Sequence, residues 1–490
     1  MNFNQKTIKL ADLIEAGDSD IIIHGLALDS RQCQVGDLFI AIQGETTHGL
    51  DFLTHLKPAA VLAEPSKNWS TADIQALAKN NSCPIIMIEN LSALVSQIAA
   101  KFYQQPSQKM QVIGITGTNG KTSIAHFIAQ SLADCAMIGT LGVGKLSQLK
   151  YTGMTTPDPI SLQRILAELV AQQIEQVAVE VSSHALAQNR TAAVDFDIAI
   201  FTNLSRDHLD YHLNMHAYGE AKALLFKSDT LKWAIINTDD SFGRQLIKNL
   251  NHQIKAVSYS IEQSPLSQYY IVCEKTTRKD ADLIIHFKSY WGNGIIQSPL
   301  IGDFNILNLF ATLAVLLINQ IPLKNAIARL NQIKNAAGRM QSFKIKGQPL
   351  VVVDFAHTPD ALQKALAALR PYCRGQLYCV FGCGGNRDKG KRALMGESAE
   401  KMADKIYLTD DNPRFEESPM IIDDILKGIT DKTKVIIIPE RKKAIQQAIQ
   451  QAKPQDVILI AGKGHEDYQQ ILAKKHPFSD SIEVKKILKD

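Results

Sequence analysis

The fragment Gly114-Ile-Thr-Gly-Thr-Asn-Gly-Lys-Thr122 decides how the rest of the chain is read. It follows an apolar run, Gln111–Ile115, that reads as a strand, and it precedes a helical run from Ser123. Strand, glycine-rich turn, Lys-Thr and helix are the setting of a phosphate-binding loop. Backbone N–H groups and the helix N-terminus cradle phosphates, Lys121 reaches the outer ones, and the Thr122 hydroxyl suits Mg²⁺. Gly117, Thr118, Asn119, Gly120 and Ser123 complete the candidate nucleotide site. Five residues, not four, separate Gly114 from Gly120, so the spacing departs from the simple motif. A glycine-rich turn with a chance Lys-Thr is the alternative, and the flanking pattern disfavours it.

Outward from this loop, helical and strand patterns alternate. Ser161–Gln173 and Ala217–Phe226 read as helices; Val177–Val181, Ile198–Phe201 and Trp233–Asn237 read as strands. That alternation specifies a parallel sheet covered by helices. Tyr259–Ile301 reads instead as a β-rich insert, with Gly292-Asn-Gly294 expected as a hairpin turn, and Phe304–Asn319 as a helix. Upstream, Ile21–Ile23, Leu38–Ile42, Ala59–Ala63 and Ile85–Ile88 are strand-like, Leu91–Tyr103 is helical, and 105–108 is expected as a linker. Near Gly338 the pattern restarts. Leu350–Phe355, Leu377–Phe381, Ile406–Thr409, Val435–Ile438 and Val457–Ala461 are strand-like, and Asp360–Leu369 is helical. A length of 490 residues suggests about three domains, placed at 1–89, 90–338 and 339–490.

Composition excludes several classes. Hydrophobic residues at 45% and charged residues at 21% rule out a disordered chain, a collagen-like fibre and a coiled-coil rod. A net charge of +4 over this length is too weak to argue for nucleic acid or a membrane surface. The most apolar stretch, around Leu309–Ile321, is short and holds Asn319 and Gln320, whereas a membrane span needs about 20 apolar residues. It is expected to be a core helix. The N-terminus lacks a long apolar run and carries Asp12 and Glu15, so a signal peptide is not expected. These features predict a soluble, cytoplasmic protein, taken as a monomer. The seven cysteines are an odd, scattered set, so no disulfide framework is expected. Cys379 and Cys383 lack a second pair to complete a zinc site and read as buried apolar residues.

The loop fragment resembles the Mur ligase and folylpolyglutamate synthetase superfamily, where the wider spacing is usual. TTPD (155–158), EVSSHALAQNR (180–190), FTNLSRDHLDYH (201–212) and AK (221–222) are similar to the Mur ligases that add the third residue of the peptidoglycan stem. So are GRM (338–340), VVDFAHTPDAL (352–362), FGCGGNRDKGKR (381–392), DDNPR (410–414) and AGKGHEDYQ (461–469). The resemblance runs from about Leu28 to Tyr468. It implies an α/β chain of three domains: a small N-terminal UDP-binding domain, a central P-loop ATPase domain with a parallel sheet, and a C-terminal Rossmann-like domain for the amino acid. The implied activity is ATP-dependent amide formation between UDP-N-acetylmuramoyl-L-alanyl-D-glutamate and meso-diaminopimelate, with two Mg²⁺ ions and CO₂ as further requirements. The chemistry is coherent with the residues. A carboxylate must be activated before an amine can attack it, ATP does so by forming an acyl phosphate, and the assembled anions need cations such as Lys121 and Mg²⁺.

Glu180 ends a strand pattern, where a carboxylate faces the ligand crevice of a parallel sheet, and is the leading Mg²⁺ ligand after Thr122. Alone it also reads as a charge at a helix N-terminus. The resemblance implies His208 as a ligand of the second Mg²⁺; alone it is a loop histidine. Lys222 alone is a solvated helix lysine. The resemblance implies that CO₂ carbamylates it, turning a cation that Mg²⁺ would repel into an anion that binds it. Lys121, Glu180, His208 and Lys222 are thus the implied catalytic set. Leu28, Ser30, Glu45, Thr46 and Thr47 would meet the UDP end of the substrate. Thr155, Thr156, Ser182, Gln188 and Arg190 would meet the muramoyl-dipeptide. Asn305, Asn308, Arg339, Asp354 and His357 would complete the ATP contacts, Asp354 on the ribose side. Arg387, Asp411, Asn412, Pro413, Arg414, Gly462 and Glu466 would hold diaminopimelate. Arg414 would grip its second carboxylate bidentately and Glu466 its ammonium. A lysine-adding ligase of the same family is the near alternative, against which Arg414 argues. A folylpolyglutamate synthetase would not require DNPR and EVSSHALAQNR. A P-loop nucleotide switch would hydrolyse nucleotide without an amino-acid acceptor.

Overall fold

The apolar run before the glycine-rich loop is a strand, Gln111–Thr116, whose Val112, Ile113 and Ile115 are all buried. Burial on both faces is what a central parallel strand requires, and its β-branched side chains suit it. The computed structural model describes residues 7–14, 20–44, 46–279, 282–336 and 338–488. It is α/β throughout and divides into two units, Met1–Val272 with Ala314–Gln320, and Cys273–Leu313 with Ile321–Asp490.

In the first unit the strands Gly142–Gly144, Cys135–Gly139, Gln176–Glu180, Gln111–Thr116, Ile198–Phe201, Trp233–Asn237 and Lys255–Ser260 lie side by side in that order. All but the first, which is antiparallel, run parallel. Helix Lys121–Ser131 follows the loop, starting two residues earlier than expected. Helix Pro159–Ala171 is set by Asp158, whose carboxylate accepts the N–H groups of Ile160 and Ser161, and by Pro159 at its first position. A separate four-stranded parallel sheet, Gly25–Ala27, Asp37–Ala41, Ala60–Ala63 and Ile85–Met87, precedes it in the chain. Helix Leu91–Phe102 packs Leu91, Val95, Ile98 and Phe102 onto the core under that sheet, with Leu38, Ile40 and Leu62.

The second unit holds a six-stranded sheet in the order Gln341–Phe343, Leu350–Asp354, Val457–Ala461, Leu377–Phe381, Lys405–Leu408, Val435–Ile437. Only the edge strand Gln341–Phe343 is antiparallel. Cys379 and Cys383 are buried in its core, as expected. In the β-rich segment, Asp282–Ser289 and Gly292–Ser298 form a hairpin whose register pairs Ser289 with Gly292. The turn is therefore Tyr290-Trp291, not the expected Gly292-Asn-Gly294. Gly294 is there for close approach: a Cβ would lie 2.5 Å from Ile327 Cδ1 and 2.8 Å from Phe287 Cζ. Among the described residues no helix is long and apolar enough to cross a membrane. Among the described residues no disulfide joins the cysteines.

Candidate active site

The P-loop strand lies between Gln176–Glu180 and Ile198–Phe201, with Glu180 beside Ile115 and Phe201 beside Thr116. Three parallel strands therefore deliver their carboxyl ends to one place, the usual site of ligand capture in such sheets. Gly117 at φ +142° lets the loop pass against the neighbouring chain, since a Cβ there would sit 1.8 Å from Thr202 Oγ1. Thr202 Oγ1 donates to Asn119 O (2.6 Å) and Asn119 N to Asn203 Oδ1 (3.0 Å), so the loop is braced from outside itself. Lys121 Nζ lies across the loop, donating to Gly117 O (2.7 Å) and Thr118 O (3.0 Å).

Glu180 is fully buried and its carboxylate is surrounded by donors: Thr122 Oγ1 at 2.8 Å, Thr140 N at 2.9 Å and Thr140 Oγ1 at 3.2 Å. The 2.8 Å between Thr122 Oγ1 and Glu180 Oε2 suits two neighbouring ligands of one Mg²⁺, which stand roughly 3 Å apart in an octahedron of about 2.1 Å radius. The oxygen donors present thus fit a hard divalent ion. Gly139 clears the space for this carboxylate, because a Cβ would meet Glu180 Oε1 at 2.0 Å and Cγ at 2.7 Å. Gly139→Ala should displace Glu180, lower the rate of nucleotide-dependent turnover at least tenfold and cost about 1–3 kcal/mol of stability by overpacking. Turnover assays and a denaturant melt of the variant check both.

The same network continues through Thr140 Oγ1 to Thr155 Oγ1 (3.1 Å). Thr156 Oγ1 donates to Glu180 O (2.7 Å) and accepts from Ser182 N (3.0 Å). Arg190 Nη1 donates to Thr156 O (3.0 Å), and its Nε and Nη2 donate to Gln188 Oε1 (2.9 and 2.5 Å). Residues expected to meet the muramoyl-dipeptide are therefore contiguous with those expected to meet the nucleotide. Leu28 and Ser30 stand half-buried at the end of the N-terminal sheet's first strand, and Thr46 and Thr47 lie on an exposed loop. Among the described residues no hydrogen bond joins these four to the Thr155–Arg190 set. Glu45 lies outside the described residues.

Lys222 is on helix Met215–Ala223 but points inward, with 1% of its surface exposed, which rules out a solvated lysine. Its Nζ sits 4.2 Å from the centre of the Tyr218 ring. Burial drives its pKa well below the ordinary value, the Lys121 charge pushes the same way, and Asp207 opposes them. His208 adopts a left-handed backbone (φ +52°) and its Nε2 lies 3.5 Å from Asp207 Oδ2. Its ring centre is 4.8 Å from that of His184 and 6.1 Å from that of Tyr218. Tyr218, whose hydroxyl is 3.2 Å from Thr118 Oγ1, thus borders Lys222, His208 and the P-loop together. Among the described residues no three His, Cys, Asp or Glu side chains are arranged to hold a metal ion.

In the second unit, Asn305 Nδ2 donates to Ile301 O (2.8 Å) and Asn308 Nδ2 to Asn305 Oδ1 (2.9 Å), both within a buried helix start. Asp354 accepts from Met340 N (2.7 Å) and Ala356 N (2.9 Å); burial pushes its carboxyl up, against the charge of Arg339. The Arg339 guanidinium lies 4.9 Å from the Phe355 ring centre, and among the described residues its buried Nε has no hydrogen-bond partner. His357 is exposed, its Nδ1 2.9 Å from Phe355 O.

The two C-terminal motifs meet. Gly462 (φ +112°) lies so close to Asp411 that a Cβ would be 2.4 Å from Asp411 Oδ2. Burial pushes the Asp411 carboxyl up, opposed by Arg441 and Lys463. Asn412 Nδ2 donates to Glu466 Oε2 (2.8 Å), and Arg414 Nη1 to Gly385 O (2.8 Å). Pro413 O packs on Gly385, where a Cβ would sit 1.9 Å away. Arg387 is exposed on the same loop as Gly385. One buried guanidinium pins both motifs from beneath: Arg441 donates to Asp410 O (3.3 Å) and Ala461 O (2.9 Å) and is paired with buried Asp480 at 2.7 Å.

Residues 22–103 match the catalytic domain of the Mur ligase family, residues 115–316 the Mur ligase middle domain, and residues 338–464 the Mur ligase glutamate ligase domain. A Coxiella burnetii protein named UDP-N-acetylmuramoyl-L-alanyl-D-glutamate–2,6-diaminopimelate ligase is 46% identical over 98% of this chain and 99% of its own length. The chain belongs to the Mur ligase family. A Pseudomonas aeruginosa protein of the same name is 43% identical to this Mur ligase over 98% of both. A solved structure of a ligase so named superimposes with a TM-score of 0.70 at 34% identity, covering 99% of each chain.

Several residues of this Mur ligase site escaped the motif reading. Thr140 contributes two of the donors around Glu180 from a short loop with no motif of its own. Tyr218 could have been suspected, since a buried tyrosine hydroxyl needs a polar partner. Lys463 lies inside the AGKGHEDYQ motif without a role having been assigned to it, and Arg441 and Asp480 carried no signal beyond their charge, their burial appearing only in the fold.

Proposed function

We propose that this Mur ligase is the enzyme that joins meso-diaminopimelate to UDP-N-acetylmuramoyl-L-alanyl-D-glutamate at the expense of ATP. What carries the reading is the single hydrogen-bonded chain from the P-loop through Glu180 to Thr156 and Arg190. It puts an ATP-phosphate cradle beside a guanidinium that can seat an anionic substrate. The D-glutamyl γ-carboxylate oxygen attacks the γ-phosphorus and ADP leaves. The deprotonated amine of diaminopimelate then attacks the acyl carbon, and phosphate departs with the bridging oxygen. Lys121 stabilises charge on the transferring phosphoryl group, and the loop N–H groups and helix N-terminus hold the rest of the nucleotide. Thr122 and Glu180 would hold one Mg²⁺, and His208 with Lys222 as its carbamate a second; these ions supply charge neutralisation at the phosphates. The segments 1–89, 90–338 and 339–490 take the UDP end, the nucleotide and the amino acid, with Arg339, Asp354 and His357 on the ATP side. Nucleotide-linked precursors of this kind place the enzyme in the cytoplasm.

Carbamylation needs an uncharged amine to attack CO₂. Lys222 is buried with Lys121 as a like charge nearby, a setting that favours the uncharged form. Lys222→Ala should lose at least about 100-fold in kcat, and a small added carboxylate should restore part of it by supplying the missing anion. Full activity in that variant would remove the carbamate role. The reaction itself is tested by phosphate release from ATP in the presence of the UDP-dipeptide, with and without meso-diaminopimelate, and by the mass of the product. Release that ignores the amino acid would favour a nucleotide switch and sink the ligase reading.

A further inference from the structure

Lys463 belongs to none of the roles above, yet its side chain is fully buried and placed among them. Its Nζ donates to Glu466 Oε2 at 2.9 Å and to Asn412 Oδ1 at 3.1 Å, and lies 5.6 Å from the centre of the Tyr468 ring. A lysine without surface exposure is unusual unless its charge is met, and Glu466 meets it. The two acceptors belong to the two motifs that build the amino-acid site, DNPR and AGKGHE. A single ammonium therefore ties one motif to the other.

The detail of those bonds has a consequence. Both inward hydrogen bonds to Glu466, from Lys463 and from Asn412, end on Oε2. Among the described residues Oε1 accepts from none, and the Glu466 side chain retains 22% of its surface. Asn412 is fixed likewise. Its Oδ1 accepts from Lys463 and from Gln470 N (2.8 Å), which leaves Nδ2 to face Glu466 (2.8 Å). Burial raises the Glu466 carboxyl, but the Lys463 charge and the hydrogen bonds from Lys463 and Asn412 outweigh it and hold the group ionised below its ordinary pKa.

We propose that Lys463 is a positioning residue for the amino-acid substrate: it holds Glu466 by one oxygen so that the other faces outward to receive the substrate ammonium, and it fixes the Asn412 carboxamide in the orientation that supports this. The inference rests on the reading of Glu466 as the ammonium-binding group. Without Lys463, the carboxylate is free to turn, hydrate or pair differently, and the substrate must restore the lost order when it binds. The site would bind diaminopimelate weakly while the nucleotide end is untouched.

The test uses the full-length enzyme with ATP, the UDP-dipeptide and meso-diaminopimelate. Lys463→Met, which keeps the stem and removes the charge, should raise KM for diaminopimelate on the order of 10- to 100-fold, with kcat at saturation within about threefold and KM for ATP unchanged. Lys463→Arg should recover at least half of that loss on a logarithmic scale. Should Lys463→Met fail to fold, Lys463→Gln also removes the charge while keeping a polar end in the buried site, and it should still raise KM for diaminopimelate, by less than the full rise of roughly 10- to 100-fold. An unchanged KM for diaminopimelate, or a parallel loss in kcat and in every KM, overturns the proposal. Failure of both neutral variants to fold makes Lys463 structural and overturns it too. An unmodified enzyme that does not ligate diaminopimelate at all would instead overturn the ligase reading itself.

Discussion

Lys121→Ala is expected to leave a folded protein whose ligation rate falls by at least about 1,000-fold. Lys121 is the first residue of the helix after the loop, and its ammonium already lies over the loop, held by Gly117 O and Thr118 O. Phosphoryl transfer spreads negative charge over the equatorial oxygens, and a cation preorganised there lowers the barrier without reorganisation. Lys222 cannot replace it, being buried on a separate helix with its own pKa depressed. The fold should survive because Lys121 is only half-buried and alanine is a better helix former, while the two freed carbonyls can be hydrated. Steady-state phosphate release and a thermal melt on the same preparation settle the matter. Near-normal turnover in a folded variant would refute the phosphate role.

Arg414→Ala should raise KM for meso-diaminopimelate roughly 30- to several-thousand-fold, the range for removing one partner of a buried charged hydrogen bond, with little change in KM for ATP. The backbone of Arg414 is clamped by its N–H to Gln470 O (3.1 Å) and by Leu472 N to its carbonyl (2.7 Å). Its left-handed φ of +53° is a cost that alanine shares, so the substitution isolates the side chain. One arm of the guanidinium, Nη1, is anchored on Gly385 O. Among the described residues Nε and Nη2 have no hydrogen-bond partner, which leaves that edge of the fork for a carboxylate. Diaminopimelate carries a distal carboxylate where lysine has none, and an unpaired guanidinium repels the cationic end of lysine. Ligation with both amino acids in competition, read by product mass, should show the preference for diaminopimelate collapsing in the variant. Equal use of the two by the unmodified enzyme would show that this reading of DNPR is wrong.

Much of this was legible in the chain because it is local. A P-loop is one strand end, one run of backbone N–H groups and one helix start, so nine consecutive residues specify it. The strand and helix alternation likewise follows from short-range periodicity, and the expected strands around Gln111, Val177, Ile198, Trp233 and Leu377 are all present. The misplaced turn at Gly292 has a physical source. Glycine serves both where a turn needs positive φ and where another group comes too close for a Cβ; Gly294 is the second case, pressed against Ile327 and Phe287.

The amino-acid order alone determined the α/β class, the strand, turn and helix of the candidate phosphate loop and the identity of the charged residues available for chemistry, since propensity, patterning and motif spacing act over a few residues. The tertiary structure alone decided what those charges face. Lys222 and Lys463 are both lysines near apolar residues in the sequence. One is buried over a tyrosine ring with no acidic hydrogen-bond partner among the described residues, and the other is buried against Glu466. Glu180 becomes a candidate metal ligand through Thr122, 58 residues away, and Thr140, 40 away, with Gly139 leaving room. Arg441 reaches two motifs through carbonyls 31 and 20 positions distant. Desolvation and Coulomb energy depend on distance in space and on the excluded water, and neither is a function of distance along the chain.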